Sequence, residues 1–400
     1  MRRRLFTLIV IAGVITAIAL PAGPLDARRG PPAPVRFATF NASLNRSAPG
    51  VLHAELAAAL AGTVSPQLAA VRTIIDRNEP DVLLVNEFDT GADGDQETVQ
   101  MFAEFARYEY FFTAPSNTGV PSGFDLNNDR TVGGPDDAFG FGFFPGQFGM
   151  AVFSNFPIDT AAARTFQTFR WSDMPGALLP VAPDGTPWYR DEELDVVRLS
   201  SKSHWDVPIE IGRKTVHFLV SHPTPPVFDG PEDRNGRRNF DEIRFWADYI
   251  TPSGGGYIYD DVGTTGGLAP GSSFVIAGDQ NSDPLDGDSV PGAIQQLLEH
   301  PRVNTSVTPS SEGAVEAAIL QGGANLTHRS DPRFDTADFS DGAPGNLRAD
   351  YVLPSKNLRI TAAHVFWPKQ GEPGSELTGV FPFPSSDHRL VRIDVRVPGR

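Results

Sequence analysis

The sequence predicts a mixed α/β fold, and three features of its 400 residues carry that expectation. Short apolar runs such as residues 82–85 and 274–277 read as strands buried on both faces. Between some of them lie segments with apolar residues at helical spacing, so helices cover the sheets. Long stretches rich in glycine, proline and aromatic residues, at 110–148, 170–192 and 251–272, join these elements. Loops of that length are either functional or disordered. Phe139, Phe141, Phe143, Phe144 and Phe148 provide enough apolar surface for the first of them to pack.

The elements follow in order. A strand at 35–40 ends at Asn41. Leu68, Val71, Ile74 and Ile75 mark a helix over 67–77, which Asn78-Glu79-Pro80 stops. Residues 81–86 form a strand ending at Glu87, and 97–108 a second helix. Further strands are expected at 150–153, 195–199 and 216–220. Residues 239–250 form an amphipathic helix that buries Ile243, Phe245, Trp246 and Ile250. Strands at 274–277, 349–353 and 390–395 complete the set.

Upstream of the first strand, Arg2-Arg3-Arg4 precedes an uncharged, mostly apolar stretch at 5–20, and Pro21-Ala22-Gly23-Pro24 and Ala27 follow. This is the layout of an export signal, and the run is short for a spanning helix. The expected organisation is a signal peptide at 1–27, a tether at 28–34 and one catalytic domain at 35–400, in a secreted protein; a retained membrane anchor is the alternative. No cysteine is present, which excludes disulfides, thiolate nucleophiles and Cys-ligated zinc. The formal charge of −16 argues against a broad basic surface for nucleic acid or anionic lipid. It leaves room for a small cationic groove, or for a metal that neutralises phosphate locally.

Polar residues sit at the ends of these strands. Asn41 and Glu87 follow the first two, His222 follows the strand at 216–220, and Asp279 and Asn281 follow 274–277. Asp350 opens one later strand and Asp387-His388 precedes the last. Polar groups at the ends of buried strands converge on one rim, where α/β proteins build sites. Carboxylates, amides and two imidazoles without a cysteine suit displacement at phosphorus: oxygen ligands for Mg²⁺, an imidazole for proton transfer, and donors for the developing charge.

Six segments in this order, Thr39-Phe40-Asn41, Val85-Asn86-Glu87, Ser221-His222, Gly278-Asp279-Gln280-Asn281, Arg348-Ala349-Asp350-Tyr351 and Ser386-Asp387-His388, resemble the endonuclease/exonuclease/phosphatase superfamily. Its members include pancreatic deoxyribonuclease, abasic-site endonucleases and neutral sphingomyelinases. The resemblance implies a four-layer sandwich, two β-sheets face to face with helices outside. It implies Mg²⁺, or Mn²⁺ in its place, on Glu87, with Asn41 and Asp387 helping to hold it. It further implies that Asp279 positions or deprotonates the attacking water and that Asn281 holds the phosphate. His222 would donate to a phosphate oxygen, His388 would exchange a proton with water or leaving group, and Asp350 would orient one of the two histidines. The chain departs from the family pattern at Gln280 and at Phe148, which stands where many relatives carry tyrosine.

Asp125, Asn127, Asp129 and Asp136 have the spacing of a calcium loop, with Arg130 at the position usually held by glycine. A calcium there would brace the 110–148 loop. Arg234, Arg237 and Arg238 form a cationic cluster, of which Arg237 and Arg238 are the candidate substrate-binding pair. The expected protein is a secreted, metal-dependent phosphoesterase acting as a monomer without an obligate protein partner. Phosphodiesters are the expected substrates, nucleic acid first. Phosphomonoesters and membrane lipids are the alternatives, as is a binding module of the same fold that has lost activity.

Overall fold

The computed structural model describes residues 33–91 and 93–399, so the leader expected at 1–27 and most of the tether lie outside the described residues. Among the described residues eleven strands form two sheets. The first, six-stranded, runs β10-β11-β1-β2-β4-β3: β10 Arg359–Val365, β11 Val391–Arg396, β1 Val35–Leu44, β2 Val82–Phe88, β4 Gly149–Ser154 and β3 Tyr110–Phe112. The second, five-stranded, runs β5-β6-β7-β8-β9: β5 Arg164–Thr165, β6 His204–Ile211, β7 Lys214–Ser221, β8 Ser273–Asp279 and β9 Asp350–Pro354.

All pairings are antiparallel except two, β1 with β2 and β7 with β8. Parallel neighbours end on the same rim. The ends of β1 and β2 therefore bring Asn41 and Glu87 together, and those of β7 and β8 bring His222 and Asp279 together. Between the sheets lies a dry core that includes Phe37, Val82, Leu84, Val152, Val207, Phe218, Val275 and Ile393, with the Phe37 and Phe218 rings 5.6 Å apart.

Helices cover the outer faces. Leu52 and Leu56 of α1 (Val51–Leu60), Leu68, Val71 and Ile75 of α2 (Pro66–Asn78) and Val99 and Phe102 of α3 (Gln96–Ala106) pack on Phe40, Leu83, Val85 and Phe153 of the first sheet. Ser65 caps α2 by accepting from the Leu68 amide, and Pro66 occupies its first position. Ile243, Phe245, Trp246 and Tyr249 of α5 (Arg234–Ile250) join Leu219, Phe274 and Ile276 on the outside of the second sheet. The short helices are α4 (Asp191–Leu194), α6 (Gln295–Leu298) and α8 (Ser375–Thr378); α7 spans Glu312–Gln321. Among the described residues no helix is long and apolar enough to cross a membrane.

The expected four-layer α/β architecture is the one observed, with local corrections. Residues 195–199 are not a strand. The acidic run of α4 starts a helical turn whose carbonyls capture the amides of Asp195, Val196 and Val197, leaving one isolated bridge between Arg198 and Arg170. β6 was not anticipated, because Pro208 interrupts it; its alternating Trp205, Val207, Ile209 and Ile211 are all fully buried. β1 runs on through Asn41 to Leu44, with a register shift after Asn41 and a left-handed Ser43 at φ 47°. Helix α5 begins five residues before the expected 239, because Asn235 accepts no break: its amide donates to Asp229 and its side chain to the Val227 carbonyl.

Candidate active site

Two hydrogen bonds join the sheets at the common rim. Asn41 Nδ2 donates to Asp279 Oδ2 at 3.1 Å, and the Asp279 amide donates to Asn86 Oδ1 at 3.3 Å; within the first sheet Asn41 Nδ2 also donates to Glu87 Oε1 at 3.2 Å. Asn41, Asn86, Asp279 and Asp350 are all buried, with Asp279 opposite Asp350 in the β8–β9 register. The rim backbone is held in left-handed conformations at Glu87 (φ 54°), Phe148 (φ 54°) and Asn281 (φ 49°), a local strain that elsewhere in proteins clusters at working sites. Gly278 makes the β7–β8 approach possible: a Cβ there would lie 1.9 Å from the Ser221 carbonyl oxygen.

His388 Nδ1 lies 2.8 Å from Asp350 Oδ2, and Nε2 lies 3.6 Å from Asp279 Oδ2. Asp350 thus partners His388 and leaves His222 alone, the choice that the sequence left open. Thr336 Oγ1 donates to the same Asp350 oxygen at 2.8 Å while accepting the Ala349 and Asp350 amides. Ser386 accepts the His388 amide and donates to the Asn41 carbonyl, which pins the histidine loop to β1. Burial depresses the His388 imidazole, but the Asp350 and Asp279 carboxylates outweigh it and hold its pKa well above the usual value. His222 has no such partner: burial, then Lys202 and His388, hold it far down and neutral, with Nδ1 buried and unpartnered. Its Nε2 lies 3.4 Å from Asp279 Oδ2.

Burial raises the Asp279 carboxyl to about 7, with Asp350 adding to the rise. Glu87 is also raised, by burial first and by Asp387 among its neighbours. Clustered carboxylates that resist ionisation are what a divalent cation relieves. The donor set fits a hard cation on the Glu87 side, where Asn41 turns its amide toward two carboxylates; an amide flip would present Oδ1 instead. Asp387 accepts from Ser43 on the same side. Asp279, Asp350 and His388 also bring three ligand atoms within 4.8 Å of one another. A cation centred there would break the Asp350–His388 hydrogen bond, so the Glu87 side fits better.

The other expected residues divide. Asn281 reaches the rim, with Nδ2 donating to the Pro223 carbonyl at 3.1 Å. Arg238 lines the cleft, yet its guanidinium donates to the carbonyls of Leu199, Phe139, Arg198 and Ser200. Arg237 reaches the Leu179 carbonyl at 3.4 Å. In the candidate calcium loop, Asp125 accepts the Asp129 and Arg130 amides, Asn127 the Asp129 amide and Asp129 the Thr131 amide. Asp137, not Asp136, is the buried anchor, accepting the Leu126 and Gly133 amides. Three contributors went unnoticed in the sequence: Asn86, Thr336 and the buried, cleft-lining Lys202. Val85-Asn86-Glu87 carried a signal for the first; the other two have none, because only the fold brings them to the rim.

The sequence profile of the Endonuclease/Exonuclease/phosphatase family matches residues 38–388, a span that contains Asn41, Glu87, His222, Asp279, Asp350 and His388. The chain belongs to this family. Family members are metal-dependent phosphoesterases, and this chain is a metal-dependent hydrolase of phosphoric esters. Solved structures are similar to it at low identity. A family member from Beutenbergia cavernae is 15% identical, with a TM-score of 0.49 over 92% of this chain and 72% of its own. A mutant of Staphylococcus aureus beta toxin with bound magnesium ions is 14% identical, with a TM-score of 0.47 over 90% of this chain and 99% of its own. Sphingomyelinase C from Streptomyces griseocarneus is 13% identical, with a TM-score of 0.42 over 90% of this chain and 99% of its own. Among curated proteins none matches the sequence significantly.

Proposed function

We propose that this family member is a secreted, Mg²⁺-dependent phosphodiesterase that cleaves by attack of water on phosphorus. The observation that supports it most is the convergence of Asn41, Glu87, Asp279, Asp350 and His388 on one rim, tied across two sheets by hydrogen bonds. A cation held by Glu87, with Asn41 and Asp387 beside it, would supply charge neutralisation at the phosphate oxygens.

The chain's own residues do the rest. Asp279 faces both imidazoles and is placed to orient a water for attack, its raised pKa bringing it near the range of a working base. His388, held protonated by two carboxylates, is suited to give a proton to the departing oxygen, and Asp350 fixes its tautomer and direction. Neutral His222 and the Asn281 amide offer hydrogen bonds to phosphate oxygens. Export rests on the Arg2-Arg3-Arg4 and 5–20 pattern.

The test is hydrolysis of a panel, supercoiled plasmid and bis(p-nitrophenyl) phosphate, by the purified chain in Mg²⁺ or Mn²⁺. Turnover of either that is lost in EDTA and in His388→Ala supports the reading. A folded protein inert toward both in either metal sinks it.

A further inference from the structure

We infer that the site takes a phosphate ester with a single phosphate joined to a compact aromatic or apolar group, in preference to a nucleic-acid strand. The inference rests on the phosphoesterase reading and concerns what the same site admits.

The rim opens into a cleft of about 950 Å³ that reaches from Glu87, Asp279 and His388 outward. That is the volume of a small-molecule pocket. Its walls are aromatic. Phe141 and Phe148 stand 6.4 Å apart on one side, and Phe339 packs edge-on to the His388 ring at 5.3 Å on another. At the mouth, Phe228 is 83% exposed on a left-handed backbone at φ 68°. A bulky residue rarely adopts that conformation. Here Asn235 holds both chain neighbours of Phe228, the Asp229 carboxylate and the Val227 carbonyl. An exposed phenylalanine kept in a strained pose beside a cleft points to an apolar occupant.

The charges point the same way. A strand brings flanking phosphates, each needing a cation. Besides His388, which its two carboxylates engage, three cationic side chains line the cleft among the described residues: Arg234, Arg238 and Lys202. Arg234 is paired with Glu232, and Arg238 is spent on four backbone carbonyls. Asp136, Asp283 and Asp288 share the lining and repel further phosphates. Lys202 remains. It is 8% exposed, faces the cleft and makes no ion pair or side-chain hydrogen bond among the described residues. Its backbone is clamped, the carbonyl by the Asn117 amide and the preceding Ser201 amide by Glu242. One buried cation, with the Glu242, Glu87 and Asp279 carboxylates near it but no ion pair to any of them, provides for one phosphate.

The experiment compares kcat/KM for bis(p-nitrophenyl) phosphate, methyl p-nitrophenyl phosphate, a single-stranded oligonucleotide, supercoiled plasmid and sphingomyelin vesicles. Phe141→Ala, Phe228→Ala, Lys202→Met and Lys202→Arg are measured beside the unaltered chain. The expected result is at least about tenfold preference for the bis-aryl diester over either nucleic acid. Removing Phe141 and Phe228 together should raise its KM roughly fivefold and leave the methyl ester nearly unchanged. Lys202→Met should raise KM for both small diesters, with Lys202→Arg restoring most of the loss. Preferred cleavage of plasmid or oligonucleotide, preferred cleavage of the long-chain lipid, or an unmoved KM in the phenylalanine variants would overturn the inference while leaving the phosphoesterase reading intact. Failure on every ester would sink both.

Discussion

Replacing Asp350 by asparagine removes one charge from the centre of the site and keeps its shape. Asp350 Oδ2 receives two donors, His388 Nδ1 and Thr336 Oγ1, each at 2.8 Å. The Thr336 hydroxyl cannot reverse its role, since it already accepts the Ala349 and Asp350 amides. An asparagine must therefore put its oxygen at the Oδ2 position and its NH₂ where Oδ1 now sits. That place is buried and without a partner, so the new donor goes unsatisfied at a cost of about 1–3 kcal/mol in stability. With the oxygen in place the imidazole keeps its direction but loses the carboxylate charge that holds its proton. General acid catalysis contributes about 10²–10⁴-fold, and kcat should fall within that range with KM little changed. The assay is steady-state hydrolysis of the best diester found, beside thermal unfolding of both proteins. A folded Asp350→Asn protein that keeps kcat within about threefold would refute the assigned role, and unchanged stability would refute the hydrogen-bond accounting.

Glu87→Gln should remove most Mg²⁺-dependent activity and also the rise in Tm that Mg²⁺ gives the unaltered chain, read by thermal unfolding with and without the metal. Asp335 is buried with Oδ1 unpartnered, and burial together with Asp283, Asp286 and Asp331 pushes its pKa to about 9. The folded state therefore holds a proton that the unfolded chain releases above about pH 4. Stability is lost as pH rises from there to about 9, by up to about 1.4 kcal/mol per unit, and Asp335→Asn should flatten that slope in urea titrations. Gly278→Ala would place a Cβ 1.9 Å from the Ser221 oxygen and force β7 from β8; a loss of about 3 kcal/mol or more is expected, and a Tm within two degrees or so of the original would contradict it.

Much of the site was legible because its residues follow buried strands. Such strands are continuous apolar runs, and a polar residue that ends one, as Glu87 and Asp279 do, stands out. Other elements leave weaker marks. β6 alternates as a strand should, but Pro208 splits it, and α1 is alanine-rich with little distinction between its faces. Arg238 looked like a groove cation in sequence; its four carbonyl partners lie on loops far from it along the chain.

By itself the sequence determined the α/β class, the family and the identity of the polar groups at the rim, because local apolar periodicity and short ordered motifs suffice for these. The tertiary structure decided which groups meet. Two parallel strand pairs in facing sheets point four chain segments at one edge, so Asn41 touches Asp279 across 238 residues. The same packing chose His388 over His222 for Asp350 and turned Lys202 from an ordinary loop lysine into a buried cation. Burial and pairing set what a carboxylate or ammonium can do, and both are properties of packed surroundings that no stretch of chain carries alone.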